Sequence, residues 1–175
     1  NRPKLLMIDE LSLGLAPVIV GQLLPIVRRL ADDGVAVVLV EQSVNVALTV
    51  ATRAYFMERG RIRFSGPTAE LLARPDLLRS VFLSNASVGV RETDAADDGD
   101  PASPSAGAPE VDRTATPALE VRELSCSFGG IRAVDGVSSS LAPREILGVV
   151  GPNGAGKTTV FDLISGFTPS VAGAV

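Results

Sequence analysis

The sequence of 175 residues contains no histidine and no tryptophan, and it has a single cysteine. The absence of histidine excludes every catalytic triad, metal site and proton relay that depends on an imidazole. The single cysteine, Cys126, cannot form an internal disulfide or a cysteine-rich zinc site, which fits a reducing compartment. We therefore expect Cys126 to be a packing residue of the core.

Long apolar runs and basic clusters are also missing. An apolar run such as AVVLV (36–40) is far shorter than the roughly 18 residues that a membrane-spanning helix needs. The net charge is -4 and no run of lysine or arginine occurs, so the sequence predicts no nucleic-acid partner. A hydrophobic content of 46% with 21% charged residues indicates a globular protein.

The middle of the chain differs in composition from both flanks. Residues 84–117 contain seven acidic residues, two arginines and four prolines, but no leucine, isoleucine or aromatic residue. Such a segment buries too little apolar surface to offset its ordering entropy, so we predict a flexible acidic linker. An ordered surface loop is the alternative, although structureless loops of this length are rare in compact domains. The linker separates a first flank (residues 1–83) from a second flank (residues 118–175).

The flanks carry the alternating signals of an α/β fold. In the first flank, apolar strands are predicted at 4–9 and 34–41. Between them, a helix is predicted from apolar residues at helical spacing, which are Ile19, Leu23, Ile26, Val27 and Leu30, and Pro25 should kink or divide it. A short helix at 43–51, two strands around Gly60 and two short helices around Pro75 complete this flank. The second flank begins with two strands that alternate in polarity and are therefore predicted to be antiparallel. A continuous apolar strand, EILGVV (145–150), and a helix that Gly166 should cap follow. We predict a parallel sheet with a smaller antiparallel β subdomain.

The segment GPNGAGKTT (151–159) has the spacing of a phosphate-binding loop. The motif consists of a glycine, four further residues, a second glycine, a lysine and a threonine. It lies between a buried strand and the start of a helix, which is the structural context that this motif requires. Glycines let backbone N–H groups face phosphate oxygens, and the helix N-terminus adds a positive dipole. A chance glycine-rich turn is the weaker alternative. The predicted nucleotide-binding residues are Gly151, Asn153, Gly154, Ala155, Gly156, Lys157, Thr158 and Thr159.

Two carboxylates follow the first apolar strand. Asp9 ends the run LLMID, a position suited to holding Mg²⁺ through water, with the Thr158 hydroxyl as a direct ligand. Glu10, one residue later, could orient and deprotonate an attacking water. A solvated Asp-Glu turn would explain the pair if it stood alone, but the phosphate loop favours the functional interpretation.

Together these segments resemble a known family, the ATP-binding cassettes of ABC transporters. The resemblance rests on GPNGAGKTT with LLMIDELSLGLAP, VLVEQSVNVAL and AYFMERGRIRFSGP, and it is closest to the two ATPase subunits of branched-chain amino-acid importers. The first flank resembles the end of one subunit. The second flank, with LSCSFGGIRAVDGVSSSLAPREILGVVGPNGAGKTTVFDLISGF, resembles the start of the other. The resemblance implies a P-loop NTPase fold of the RecA-like type.

The resemblance also implies roles for individual residues. Phe128 occupies the position of an aromatic residue that packs on adenine, with Val134 as a candidate neighbour. Asp9 and Glu10 occupy the Walker B positions, with Glu10 as the expected catalytic base. Gln42 takes the position of the usual switch histidine, and it can position a water or phosphate but carries no proton. Without the resemblance, Gln42 would be a polar residue at a strand end. The loop that faces a partner cassette is Leu13, Gly14, Leu15 and Ala16.

Two departures and one anomaly accompany this resemblance. Leu11 replaces a proline after the carboxylate pair, and Arg144 replaces a turn glycine. The anomaly is the order, because Asp9 precedes the phosphate loop here, whereas a cassette has the loop first. The helical signature subdomain, with its Ser-Gly-Gly-Gln segment, has no counterpart in the sequence. We therefore interpret the chain as the end of one cassette and the start of a second, a fragment of a tandem ATPase.

Two spatial arrangements and three functions follow from the sequence. The flanks could remain independent half-cassettes, or they could dock in cis with EILGVV beside KLLMID, which their small size favours. The first function is that of an ATP-hydrolysing part of an amino-acid importer that uses ATP and Mg²⁺. It would pair with a second cassette and with permease subunits at the cytoplasmic face of the membrane. The second is a nucleotide-binding module without turnover. The third, a soluble cassette that acts on DNA or ribosomes, is disfavoured by the net acidity.

Overall fold

The structure is a computed structural model that describes residues 3–76, 78, 112, 114–170 and 172–175. Most of the predicted linker and most of the helix predicted after Pro75 lie outside these residues. The first flank contains β1 (Leu5–Asp9), α1 (Pro17–Asp32), β2 (Ala36–Glu41), α2 (Val44–Val50), β3 (Arg53–Glu58), β4 (Arg61–Pro67) and α3 (Thr68–Leu72). The second flank contains β5 (Leu119–Phe128), β6 (Ile131–Leu141), β7 (Ile146–Val150), α4 (Lys157–Ser165) and β8 (Ala172–Ala174).

Strands of both flanks form one five-stranded sheet in the order β1-β2-β7-β3-β4. The strands β1, β2, β7 and β3 are parallel, and β4 is antiparallel to β3 at the edge. Docking of the flanks in cis is therefore confirmed. The expected pairing of EILGVV with KLLMID is wrong, because β2 lies between them and pairs through Met7↔Val38 and Val38↔Leu147.

Burial distinguishes the central strands β2 and β7 from the edge strand β1. All six residues of β2 and all five of β7 are buried, whereas the five residues of β1 are only half-buried. A strand with neighbours on both edges and layers on both faces is buried along its whole length, as β2 and β7 are. The run in β1 is also continuous and apolar, so the sequence alone did not separate a central strand from an edge strand.

Two layers cover the faces of this sheet. On one face, α1 packs through Val20, Leu24, Val27 and Ala31 against a cluster that includes Leu39. On the same side, α2 and α3 pack on Ala54, Phe56 and Val150. On the other face, α4 and a three-stranded sheet (order β6-β5-β8) enclose a cluster that includes Cys126, Val134 and Val149. The prediction that Cys126 packs in the core is confirmed. The described residues contain no separate helical subdomain.

Helix α1 differs from its prediction in two ways. It runs unbroken from Pro17 to Asp32 with Pro25 inside it, so no second helix begins at the proline. The apolar spacing had favoured a face with Ile19 and Ile26, but these side chains are 41% and 54% exposed. The buried face is one residue further along and begins at Val20, because Val20, Leu24, Val27 and Ala31 share the i, i+4, i+7 and i+11 positions.

The predicted strands of the second flank form an antiparallel pair. Leu119 lies opposite Leu141 and Cys126 opposite Val134, with several register irregularities along β5. Arg144, in the turn before β7, has a φ of 68°, in the left-handed region that favours glycine. Arg144 therefore adopts a backbone conformation that a glycine would adopt with less strain.

A buried ion pair connects the two flanks. Arg53 Nε, at the start of β3, donates to Glu145 Oε1 at 2.7 Å, and the Glu145 side chain is 1% exposed. Arg53 also donates to the Tyr55 hydroxyl at 3.1 Å and to the backbone oxygen of Ser140 on β6. Glu145 Oε2 accepts from the Ala142 N–H at 3.0 Å. Arg53 thus ties the central sheet to both β6 and the turn before β7.

Candidate nucleotide-binding site

The residues predicted to bind phosphate and magnesium lie at one edge of the sheet. Parallel strands end at the same edge, and the crevice outside their carboxyl ends is the usual ligand site of open α/β sheets. The register places Asp9 beside Val40 and Glu41 beside Val150. Asp9, Glu41 and the first residue of the phosphate loop, Gly151, therefore lie next to one another although the chain separates them widely.

The phosphate loop joins β7 to α4 through three glycines with positive φ. These are Gly151 (156°), Gly154 (74°) and Gly156 (95°), the last of which is the N-cap residue of α4. The loop closes with a hydrogen bond from the Ala155 N–H to the Pro152 carbonyl at 3.2 Å. It therefore ends at a helix N-terminus, where N–H groups without helical partners can bind an anion.

The glycines of this loop are needed for different reasons. A Cβ on Gly151 would lie 2.2 Å from the Met57 carbonyl oxygen, and one on Gly156 would lie 2.3 Å from the Ala133 carbonyl oxygen. A Cβ on Gly154 would meet no atom within 4 Å. The sequence had suggested that the glycines clear space for phosphate. At Gly151 and Gly156, however, the missing Cβ leaves room for neighbouring backbone.

Lys157 lies folded into the loop. Its side chain is 5% exposed, and Nζ donates to the carbonyl oxygens of Gly151 at 2.9 Å and Pro152 at 3.1 Å. Burial lowers the pKa of Lys157, while the negative charges of Glu10, Asp9 and Glu41 act in the opposite direction. A lysine held on carbonyl oxygens can turn to phosphate oxygens, which are stronger acceptors because they are charged.

Asp9 and Thr158 come from different flanks and meet at this edge. Burial raises the pKa of the Asp9 carboxyl, a hydrogen bond with the Thr158 side chain lowers it, and the nearby charge of Glu10 raises it. The Asp9 Oδ1 atom is buried and has no hydrogen-bond partner. A buried acceptor without a hydrogen-bond donor is energetically unfavourable. A bound ligand could provide the missing partner of this oxygen atom.

These residues fit a magnesium ion that arrives with a nucleotide. Within the described part of the chain, no group of three or more His, Cys, Asp or Glu residues could hold a metal by itself. Mg²⁺ typically keeps several waters and binds through one or two carboxylates together with substrate phosphates. A buried carboxylate oxygen without a donor, next to the Thr158 hydroxyl and the phosphate loop, meets that description.

Glu10 begins the loop that follows β1. Its φ is 50°, an uncommon backbone conformation for a residue other than glycine. Its N–H donates to Val40 at 2.9 Å, and its carbonyl accepts from Leu13 at 3.0 Å. Such strained residues cluster at functional sites, where the surrounding structure over-determines them. Leu11, in place of the family's proline, packs partly buried against the cluster under α1.

Glu41, which is 1% exposed, belongs to the site but was not predicted from the sequence. Its carboxylate accepts the Ser12 N–H at 2.8 Å, the Ser12 hydroxyl at 2.9 Å and the Ser43 N–H at 3.4 Å. It therefore connects the loop after Glu10 to the segment around Gln42. A glutamate that directly ends a wholly apolar strand was the available signal, since a buried carboxylate must find donors.

Gln42 and the loop of residues 13–16 lie beside this cluster. Gln42 directly follows Glu41 at the end of β2 and is half-buried. The loop is exposed throughout, with Leu13 at 69% and Leu15 at 42%. Two large apolar side chains exposed next to a charged cluster form a surface that a partner could cover.

The two residues expected near adenine differ in accessibility. Phe128, at the end of β5, is 53% exposed and lies opposite Ile131, which is 76% exposed. Val134, in contrast, is completely buried in the core between the two sheets. The Val134 prediction therefore does not agree with the structure, because this side chain lies inside the core and is not accessible to a ligand. Ile131 is the exposed apolar neighbour of Phe128.

Comparisons with known proteins identify similar sequences for both flanks. Residues 134–175 match the family model described as ABC transporter. The high-affinity branched-chain amino acid transport ATP-binding protein BraG of Pseudomonas aeruginosa is 51% identical over 83 residues, which cover 47% of this chain and 35% of that protein. The high-affinity branched-chain amino acid transport ATP-binding protein LivG of Escherichia coli is 48% identical over 59 residues, which cover 34% of this chain and 23% of that protein.

One similar protein aligns across both flanks. A putative ABC transporter ATP-binding protein of Methanosarcina acetivorans is 25% identical over 173 residues, which cover 98% of this chain and 30% of that protein. The chain thus spans about a third or less of the length of these relatives. The resemblance to an ATP-binding cassette of the branched-chain importer type is confirmed, and the fold is that of a P-loop NTPase. No helix in the described residues is long and apolar enough to cross a membrane.

Proposed function

We propose that this chain binds Mg–ATP at residues 151–159 and forms part of an ATP-hydrolysing subunit of an importer for branched-chain or related amino acids. The observation that carries the proposal is the meeting of Lys157 and Thr158 with Asp9, residues from opposite flanks, at one edge of the sheet. The names of the BraG and LivG relatives support the transport function and the substrate class.

Each site residue has a distinct role in this proposal. Lys157 neutralises charge on the β- and γ-phosphates, and the loop N–H groups bind the same oxygens. Thr158 would hold Mg²⁺ directly and Asp9 through water, and the ion would neutralise phosphate charge. Glu10 accepts a proton from the attacking water, and Gln42 orients that water or the γ-phosphate by hydrogen bonding. Phe128 stacks on the adenine.

The proposal includes two kinds of protein partner. The exposed loop of residues 13–16 would face a second cassette, since Leu13 and Leu15 present apolar surface beside the site. Permease subunits would hold the assembly at the cytoplasmic face of the membrane. The experiment is copurification of the tagged chain, in its natural host, with membrane proteins. If the tagged chain copurified with nucleic acid instead, and salt released that nucleic acid, the result would contradict a transport role.

The arrangement of the flanks is also part of the proposal. We assign residues 1–83 to the end of one cassette, residues 84–117 to a linker and residues 118–175 to the start of a second cassette. The single alignment of the Methanosarcina protein across 98% of the chain supports this order, because one protein contains both segments in the same sequence.

A nucleotide-binding module without turnover is the second candidate, and the sequence favours it for this chain alone. The only glutamines are Gln22 and Gln42, and neither lies in a Ser-Gly-Gly-Gln segment. In the family that this chain resembles, such a segment from an opposing cassette clamps the transition-state charge.

We therefore expect the isolated chain to bind ATP with no ATP hydrolysis above the protein-free rate. A phosphate-release assay under single-turnover conditions measures this, with Glu10→Gln as the matched control. Turnover by the unsubstituted chain that disappears in Glu10→Gln would contradict the expectation, because it would require a complete catalytic site within these residues.

A further inference from the structure

Gly60, in the turn between β3 and β4, contacts two parts of the second flank at once. Its N–H donates to the carbonyl oxygen of Ala155 in the phosphate loop at 2.9 Å. Its own carbonyl oxygen accepts the N–H of Asp135 on β6 at 2.9 Å. One residue of the first flank therefore links the phosphate loop to the strand pair that carries Phe128.

The backbone at this junction leaves no room for a side chain. Gly60 is buried with a φ of 77°, and a Cβ there would lie 2.7 Å from the Ala133 carbonyl oxygen. A Cβ on Gly156 would lie 2.3 Å from the same oxygen and 3.5 Å from the Gly60 Cα. Three backbone segments thus meet around the Ala133 carbonyl, and two glycines make this approach possible.

Side chains reinforce the same contact on its outer side. Arg61, the residue after Gly60, donates through Nε to Asp135 Oδ2 at 2.6 Å. Arg132 donates to the other oxygen of Asp135 at 2.8 Å. The turn after β3 is therefore fixed to β6 by backbone and side-chain bonds on consecutive residues.

We propose that Gly60 is a positioning residue of the nucleotide site, which sets the phosphate loop relative to the strand pair β5–β6. The inference rests on the proposed function, since a nucleotide must reach from the loop to Phe128 with its phosphates and base. A Cβ at Gly60 displaces either the loop at Ala155 or the strand at Ala133. A displacement of about 1 Å in positioning elements can change a site's performance by roughly 100-fold.

The experiment compares Gly60→Ala and Gly60→Asn with the unsubstituted chain by calorimetric titration of Mg–ATP. Each titration is run at a temperature well below the unfolding midpoint of that variant. The protein is then folded throughout, so a loss of stability alone does not change the measured affinity. Asparagine tolerates a positive φ far better than alanine, but its Cβ makes the same contact with Ala133. We expect both variants to raise the Kd at least about tenfold.

Gly34 provides the matched control. It also has a positive φ, 105°, in the turn before β2, but a Cβ there would meet no atom within 4 Å. We expect Gly34→Ala and Gly34→Asn to bind Mg–ATP as the unsubstituted chain does. Normal affinity in Gly60→Asn would overturn the inference, since backbone strain rather than the contact would then explain any effect of alanine.

Hydrogen exchange in the unsubstituted chain tests the same contact if the Gly60 variants do not fold. Exchange of the Gly60 and Asp135 amides should slow when Mg–ATP binds. The nucleotide would hold both the phosphate loop and the strand pair β5–β6, and Gly60 connects these two segments. Unchanged exchange there, while the amides of residues 154–159 slow, would overturn the inference. Absence of Mg–ATP binding by the unsubstituted chain would overturn the proposed function and this inference together, whereas equal affinities overturn this inference alone.

Discussion

Replacing Lys157 with alanine is expected to weaken ATP binding by about tenfold to more than a hundredfold. The side chain is buried in the loop, and its ammonium group is the single basic charge among residues 151–159. Charge-assisted hydrogen bonds of this kind contribute about 1.5–3 kcal/mol, and each 1.4 kcal/mol corresponds to about a tenfold change in Kd. Titration calorimetry with Mg–ATP measures the difference.

Two further variants separate the loss of charge from other effects. Lys157→Met keeps most of the buried aliphatic stem, so it should weaken binding as strongly as alanine if the charge is responsible. Lys4, the only other lysine, precedes β1 at the opposite edge of the sheet. Lys4→Ala should therefore bind ATP normally. An unchanged Kd in both Lys157 variants would contradict the assignment of residues 151–159 as the nucleotide site.

Replacing Arg53 with methionine is expected to lower the free energy of unfolding by about 3–5 kcal/mol. The change removes the guanidinium that pairs with the Glu145 carboxylate, which is 1% exposed. It also removes the bonds to Tyr55 and Ser140 and the stacking of the guanidinium carbon 5.2 Å from the Tyr55 ring centroid. Urea denaturation followed by circular dichroism measures the difference.

The double variant Arg53→Met, Glu145→Gln should recover much of this loss. Removing both charges eliminates the buried carboxylate together with the guanidinium that it pairs with, and glutamine can still accept the Ala142 N–H. Arg122→Met breaks the exposed pair with Glu120 and serves as the control, with an expected cost below about 1 kcal/mol. If Arg53→Met costs no more than Arg122→Met, the buried pair does not hold the flanks together.

The sequence predicted elements well because their signals are local. Continuous apolar runs identified β2 and β7, and Gly166 caps α4 with a φ of 76° as its position suggested. The order of the strands depends on pairing between the two flanks, which no local signal contains. KLLMID and AVVLVE both contain a continuous apolar run, so only the pairing observed in the structure shows that β2 separates β1 from β7.

The site residues, like the strands, could be predicted only where their signals are local in the sequence. The motif located Lys157 and Thr158, and the strand end located Asp9, because each belongs to a short pattern with its own chemistry. Glu41 and Gly60 belong to no such pattern, since their roles depend on Ser12, Ala133 and Ala155, which are distant in sequence. Val134 was misjudged because the buried residues of β6, which are Val134, Val137 and Leu141, do not follow simple alternation. The β5–β6 pair has register irregularities that the sequence pattern does not reveal.

The central claim is that one nucleotide site is assembled from both flanks, and the magnesium dependence of ATP binding tests it most directly. Asp9 belongs to the first flank, whereas all the loop residues belong to the second. ATP affinity is measured with Mg²⁺ and with EDTA, for the unsubstituted chain and for Asp9→Asn. The matched control is Asp33→Asn, because Asp33 is an exposed aspartate that follows α1 and lies away from the site.

We expect Mg²⁺ to tighten ATP binding in the unsubstituted chain and in Asp33→Asn, and to have little effect in Asp9→Asn. Affinity with EDTA should be equal or slightly higher in Asp9→Asn, since the change removes a negative charge near the phosphates. An equal gain from Mg²⁺ in all three proteins would contradict the account, because the first flank would then contribute no metal-binding group to the site.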